Sequence, residues 1–230
     1  MAGRVSSGRI ILSMLIGILG CGFMAGSDWL MIYGDTAYEG ALPWLTSGVA
    51  QISPSRNMLA MVLAFPAVIL YIVALMAVRN LIVNEMDRKI YVSLTVAGMT
   101  PWLCIHLLYV MILYLFGFLN GAGEKELAFK SCEALFSQFS WIIPVGEVIM
   151  LLPFIYLFYI FVTEKSVFSR AMAFNNPLII YLILKFATVF MKDSPMRLAF
   201  TNGLMSESMA VWFLVFIFAL LRFSGQRRIF

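Results

Sequence analysis

Five ionisable side chains interrupt long apolar runs in this sequence: Asp28, His106, Glu147, Lys185 and Glu207. Three carboxylates, one ammonium and one imidazole in such surroundings have limited options. A charge placed alone in hydrocarbon costs at least about 2.5–3.5 kcal/mol on insertion scales, so such groups turn inward and pair, or line a wet pocket. Lys185 is the only cation among them, which makes Glu147 its expected direct partner and Asp28 and Glu207 further walls of a charged site. A ligand amine would take the place of Lys185 opposite a carboxylate, or a ligand carboxylate would meet Lys185. Trp29, Tyr33 and Trp141 would supply aromatic walls. His106 is the only histidine. It is expected as a hydrogen-bonded core side chain or as a proton handler, since its ordinary pKa lies near 6.5.

These groups must be positioned by membrane helices. The chain is 62% hydrophobic and 12% charged, with a mean hydropathy of +0.94. Soluble domains carry about 25% charged residues, so half that charge cannot cover a surface facing water. Crossing a bilayer takes about 20 mostly apolar residues. Six spans are expected, at about 10–33, 58–80, 91–119, 140–162, 176–191 and 203–221, in one all-α domain covering 1–230. An N-terminal signal peptide is disfavoured, because the apolar run continues through Tyr33 and signal h-regions are shorter.

Loop charge sets the direction. Arg4, Arg9, Arg79, Arg88, Lys89, Lys165, Arg170, Arg222, Arg227 and Arg228 fall on one side. Arg56, Lys125, Lys130, Lys192 and Arg197 fall on the other. Positive residues accumulate in cytoplasmic loops, so both termini are expected in the cytoplasm. The net charge of +4 then reflects topology and calls for no nucleic acid. In this frame Asp28, Glu147, Lys185 and Glu207 lie roughly 8, 10, 9 and 6 Å below the outer boundary, at 1.5 Å per helical residue. Four groups on four helices thus reach one level.

Other features are structural in the first instance. Glu124, Lys125, Glu126, Lys130 and Glu133 oppose Ala128, Cys132, Leu135, Phe136 and Phe139, which reads as an amphipathic helix at about 124–137 on the outer interface. Trp44 is expected in the outer headgroup zone. Pro144 and Gly146 directly precede Glu147 and are expected to kink or open the fourth span there, since interrupted spans mark transporter sites. Gly22 and Gly26 form a GxxxG step, suited to packing within the bundle or to a partner subunit or second copy. Cys21, Cys104 and Cys132 show no metal-binding spacing, and no motif names a cofactor.

The segment GSDWLMIYGD closing a glycine-rich first span, followed by SPSRNMLAMVLAFPAVILYIVAL, resembles a family of uncharacterised bacterial six-span membrane proteins with a Gly-Asp-Trp/Met-Leu-x-Tyr-Gly pattern at the end of the first helix. Ser27 interrupts the Gly–Asp step. The resemblance implies a multi-pass protein of the bacterial cytoplasmic membrane and no assigned reaction. By length, span count and outward site the chain is also similar to the substrate-capture subunits of energy-coupling-factor vitamin transporters, an analogy of fold alone.

The function expected is recognition or transport of a small polar or charged molecule through an outward-facing pocket. One alternative is an intramembrane enzyme acting on a lipid or lipid-linked substrate, with Glu147 as acid/base and His106 as helper. Lacking a histidine cluster, a metal motif and a nucleophile elbow, the sequence leans away from it. A non-catalytic membrane partner or immunity protein is the second alternative.

Overall fold

A computed structural model describes residues 6–33 and 53–226, with side chains through Arg222. Trp44 lies outside the described residues. Among the described residues seven α-helices follow one another: α1 Ser7–Ile32, α2 Pro54–Val78, α3 Glu85–Gly121, α4 Lys125–Phe139, α5 Ile142–Val162, α6 Pro177–Thr188 and α7 Pro195–Gln226. Among the described residues no strand forms; the extended contacts reduce to one antiparallel bridge between Ile82 and Ser166.

Among the described residues five helices are long and apolar enough to cross a membrane: α1, α2, α3, α5 and α7. The stretch 176–191, expected as the fifth span, holds a shorter apolar helix. There α6 has only 12 residues, about 18 Å at 1.5 Å per residue, against roughly 30 Å of hydrocarbon. Its start is set by Asn176, whose side-chain oxygen caps Leu178 N–H while its amide donates to Phe154 O at 2.9 Å. Phe154 lies well inside α5, so α6 begins part-way along its neighbour. The preceding segment is a short 3-10 turn, Arg170–Ala173, packed on α5.

Two groups of helices make the bundle. In the first, α1 packs along α2 and α7. Gly17 and Gly20 permit this. A Cβ on Gly17 would stand 2.5 Å from Ala74 Cβ and 2.8 Å from Phe213, and one on Gly20 would stand 2.8 Å from Leu70 Cβ. Close backbone packing of this kind gains van der Waals attraction along the whole helix contact. The GxxxG pair plays no part in it. A Cβ on Gly22 would have nothing within 4 Å, and one on Gly26 would meet only Leu63 Cδ1, at 3.7 Å.

The second group is α3 with α5 and the amphipathic helix α4. Pro153 removes the donor for Ile149 O, and that carbonyl packs against Gly98, where a Cβ would lie 3.2 Å away. The expected break at Glu147 does not occur: α5 runs unbroken from Ile142 through Glu147 to Val162. Pro144 is its third residue, where the N–H has no intrahelical partner to lose. The amphipathic helix is present as α4, with Ala128 and Cys132 buried against α3, Cys132 Sγ 3.6 Å from Ile112 O and Phe129 edge-on to Phe116.

The groups meet through an aromatic plug of Phe154 and Phe161 from α5, Phe168, and Trp212, Phe213 and Phe216 from α7, with ring centroids 5.0–6.5 Å apart. At the same end Asp87, in the first turn of α3, accepts from Tyr156 Oη at 2.6 Å and pairs with Lys165 Nζ at 3.3 Å. Lys165 also donates to Tyr159 Oη at 2.9 Å, and that bond, with help from Asp87, holds its ammonium above the ordinary lysine pKa. The plug fills one half of the seam between the two helix groups. The other half, toward the C-terminus of α1, is open.

Candidate functional site

A cavity of about 540 Å³ occupies that open half, walled by α1, α3, α5, α6 and α7. Asp28, His106 and Glu147 line it, with Trp102, Tyr109, Tyr181, Thr201 and Asn202 and a larger number of apolar side chains. Ligand pockets of drug size have this volume and this mix of apolar wall and few polar groups. Glu147, Thr201 and Asn202 are exposed at its rim. Gly146 brings the walls together beside Glu147, since a Cβ there would strike Ile105 Cδ1 at 2.3 Å.

The deepest polar feature is a chain of contacts from α1 through α3 to α2. His106 Nδ1 lies 3.5 Å from Asp28 Oδ1, with the two side chains 8% and 13% exposed. His106 Nε2 lies 3.0 Å from Ser27 Oγ, and Ser27 Oγ donates to Ala60 O at 2.7 Å. A hydroxyl has one proton. With that proton on a carbonyl, which can only accept, the Ser27–His106 contact requires Nε2–H as donor. The tautomer of His106 is thereby set, and Nδ1 faces the Asp28 carboxyl.

Ser27, His106 and Asp28 are the residue types of a hydrolase triad in the matching order of contacts. Their arrangement in the fold is different. Ser27 is fully buried and does not line the cavity, whereas Asp28 and His106 do. Its hydroxyl proton points to Ala60 O rather than to the imidazole. Ser27 therefore orients His106 from behind, and no attack on a molecule in the cavity can start from it.

Glu207 lies behind Asp28. Trp29 Nε1 donates to Glu207 Oε1 at 3.3 Å, and Gly203 leaves room for this bond, since a Cβ there would stand 3.1 Å from both atoms. Glu207 Oε2 is buried without a hydrogen-bond partner among the described residues. Tyr71 from α2 and Ser206 from α7 complete this polar layer. At the end of α1, the Arg56 guanidinium donates to Tyr33 O and reaches Trp29 O at 3.5 Å, placing a positive charge on the carbonyl end of the helix, where the dipole favours it.

Three of the eight residues expected at the site, Asp28, His106 and Glu147, share the cavity. Glu207 and Trp29 form the layer behind it. The Tyr33 ring is 47% exposed and Trp141 is 64% exposed; neither lines the cavity. Lys185 is outside as well, and no ion pair joins it to Glu147 among the described residues. The reason is the short α6. Lys185 lies in its last turn, exposed, near the helix end, with Nζ 5.7 Å over the ring of Tyr181 one turn below. The depth expected for it assumed a helix reaching residue 191. Trp102 and Tyr109 were within reach of sequence reasoning, because with His106 they fall at i, i+4 and i+7 of one helix face. Ser27 carried no such signal.

The model of a family of unknown function, DUF6796, matches residues 5–222 of the chain. No curated protein and no solved structure matches it.

Proposed function

The chain belongs to that family of unknown function, which brings no activity with it, and we propose from the cavity that it is an integral membrane protein recognising or transporting a small polar or charged molecule. The carrying observation is the 540 Å³ cavity with Asp28, His106 and Glu147 on its wall, placed beside an interhelical polar layer. Large apolar side chains on the outward helix faces, such as Leu12, Val62, Phe186 and Phe218, support solvation by lipid. In this reading the chain crosses the bacterial cytoplasmic membrane six times, with α6 as a half-length crossing completed by the segment before it. Both termini are cytoplasmic and the cavity opens outward. The distribution of lysine and arginine supports that direction.

Ser27 gives no support to a nucleophilic mechanism, since its hydroxyl is committed to Ala60 O behind His106, and the acid/base alternative with Glu147 and His106 has no observation that favours it over recognition. A partner role through the open Gly22 face is compatible with the recognition reading and does not replace it.

The test is a thermal-shift screen of purified protein in detergent against amino acids, amines and small organic acids. A ligand at 100 times its Kd stabilises by about 2.7 kcal/mol. For a chain of this size 1 kcal/mol corresponds to about 2–4 °C, so shifts of about 5–11 °C are expected from a true ligand. The shift should shrink in Asp28→Asn and in Glu147→Gln. If no compound in these classes shifts the midpoint, or if both variants respond as the wild type does, the cavity is not a recognition site.

A further inference from the structure

We propose that the cavity takes an organic cation with an apolar body, and that binding of this cation expels a single proton held between Asp28 and His106. The inference rests on the reading of the cavity as a recognition site and specifies its ligand and coupling.

The class of ligand follows from the wall. Asp28 and Glu147 are carboxylates, and neither a lysine nor an arginine lines the cavity. Lys185 remains outside, over Tyr181. Trp102 and Tyr109 offer aromatic surfaces, which attract cations through the ring quadrupole. Methionines and leucines form most of the remaining wall and suit an apolar body. A metal ion is a poor fit: among the described residues no three His, Cys, Asp or Glu side chains converge to hold one.

The proton follows from hydrogen-bond logic. Ser27 gives its proton to Ala60 O and receives one from His106 Nε2. His106 Nδ1 then faces Asp28 Oδ1 at 3.5 Å. With no proton between them, a nitrogen lone pair would oppose a carboxylate lone pair. With one, the pair is either a carboxylic acid facing a neutral imidazole or a carboxylate facing an imidazolium. Either arrangement leaves the pair with zero net charge.

A cation docked against Asp28 adds a positive charge a few ångströms from that proton. In surroundings of low effective dielectric, two such charges repel strongly. Release of the proton to solvent leaves a carboxylate facing the cation and a neutral imidazole still held by Ser27. The other titratable groups around this pair are Tyr71 on α2, Tyr109 on α3, Glu147 on α5, Tyr181 on α6 and Glu207 on α7; Arg56, also on α2, is held at the last carbonyls of α1. Exposed at the rim, Glu147 meets an entering cation first. Glu207 is tied to Trp29 and remains behind.

The chain has one histidine, so protein labelled with [15N]histidine reports His106 alone. The probe is benzyltrimethylammonium, which is permanently charged and carries no exchangeable proton. Phenylacetate and benzyl alcohol are the anionic and neutral controls. In the free protein both ring nitrogens should read as Nε2–H with Nδ1 engaged to a proton shared with Asp28. Benzyltrimethylammonium should shift both resonances and release up to one proton per bound cation into weakly buffered detergent solution. The controls should do neither. Asp28→Asn should bind the probe at least about tenfold more weakly and release no proton.

A neutral His106 carrying its proton on Nδ1 would overturn the shared proton, and cation binding without proton release would overturn the exchange. Equal binding of phenylacetate or benzyl alcohol would overturn the cation class while leaving the cavity a recognition site. Failure of all three probes, together with a blank thermal-shift screen, would overturn both readings.

Discussion

Replacing His106 with leucine while Asp28 stays in place is the most informative test of the polar layer. His106 is the one cationic or cation-forming side chain within ion-pair distance of Asp28 among the described residues, and both side chains are nearly buried. Removing one member of such a pair strands the other and costs about 3–5 kcal/mol. Asp28→Leu instead strands a neutral imidazole nitrogen, at about 1–3 kcal/mol. Asp28→Leu with His106→Leu removes both polar groups, and paired apolar replacements of similar shape are close to neutral. At about 2–4 °C per kcal/mol, His106→Leu should lower the melting midpoint by about 6–20 °C, and the double variant should recover most of that. The assay is the fraction of monodisperse protein eluting from a size-exclusion column after heating in detergent. Asp28→Asn should be milder than either leucine change, because its amide can donate to Nδ1. A double variant whose loss equals the sum of the single losses would refute the pairing. As a control, Glu147→Gln and Lys185→Met should add, since no contact joins those residues among the described ones.

Gly17→Leu should cost about 1–3 kcal/mol or more through overpacking against Ala74 and Phe213, while Gly22→Leu should leave the melting midpoint unchanged; equal effects would refute the packing assigned to α1. For topology, cysteines introduced on a Cys104→Ser background at Glu124 and Lys192 should react with an impermeant thiol reagent on intact cells, and one at Glu85 only after permeabilisation; the reverse pattern would invert the protein. Burial pushes the Cys132 thiol up to about 11. It should therefore resist iodoacetamide near pH 8.5 until α4 detaches, and rapid alkylation of folded protein would show that α4 is not docked. Because its folded pKa lies above the ordinary value of 9.0, the native state holds a proton that the unfolded chain has lost between about pH 9 and 11. The contribution of Cys132 to stability should decline as pH rises through that window.

Much of this architecture was legible in the sequence, because lipid imposes a length rule on any helix that crosses it. Five helices of spanning length and the amphipathic α4 follow from runs of apolar residues and from the period of the charged ones. The exception, α6, depends on Asn176 bonding to Phe154 O, a tertiary contact that composition does not carry. That one misjudged length also displaced Lys185, and with it the ion pair expected for Glu147. Pro144 misled for a related reason: a proline breaks a helix only if the helix has already begun, and α5 begins two residues earlier. Asp28, His106 and Glu147 could be nominated because ionisable groups in apolar runs are conspicuous. The role of Ser27 could not, since a serine on a small-residue helix face looks like packing until its neighbours across the helix interface are known.

The 12-residue length of α6 also bears on how the protein is made. Under the proposed topology, a segment this short offers the insertion machinery too little apolar length to be accepted by itself. It must partition together with α7, on which it packs, so the last third of the chain should enter the bilayer as one unit. A nascent chain ending before Pro195 would leave α6 without that support, and Tyr181, which it contributes to the cavity wall, would not yet be in place. The binding site would then come into existence only with the final insertion event of biosynthesis.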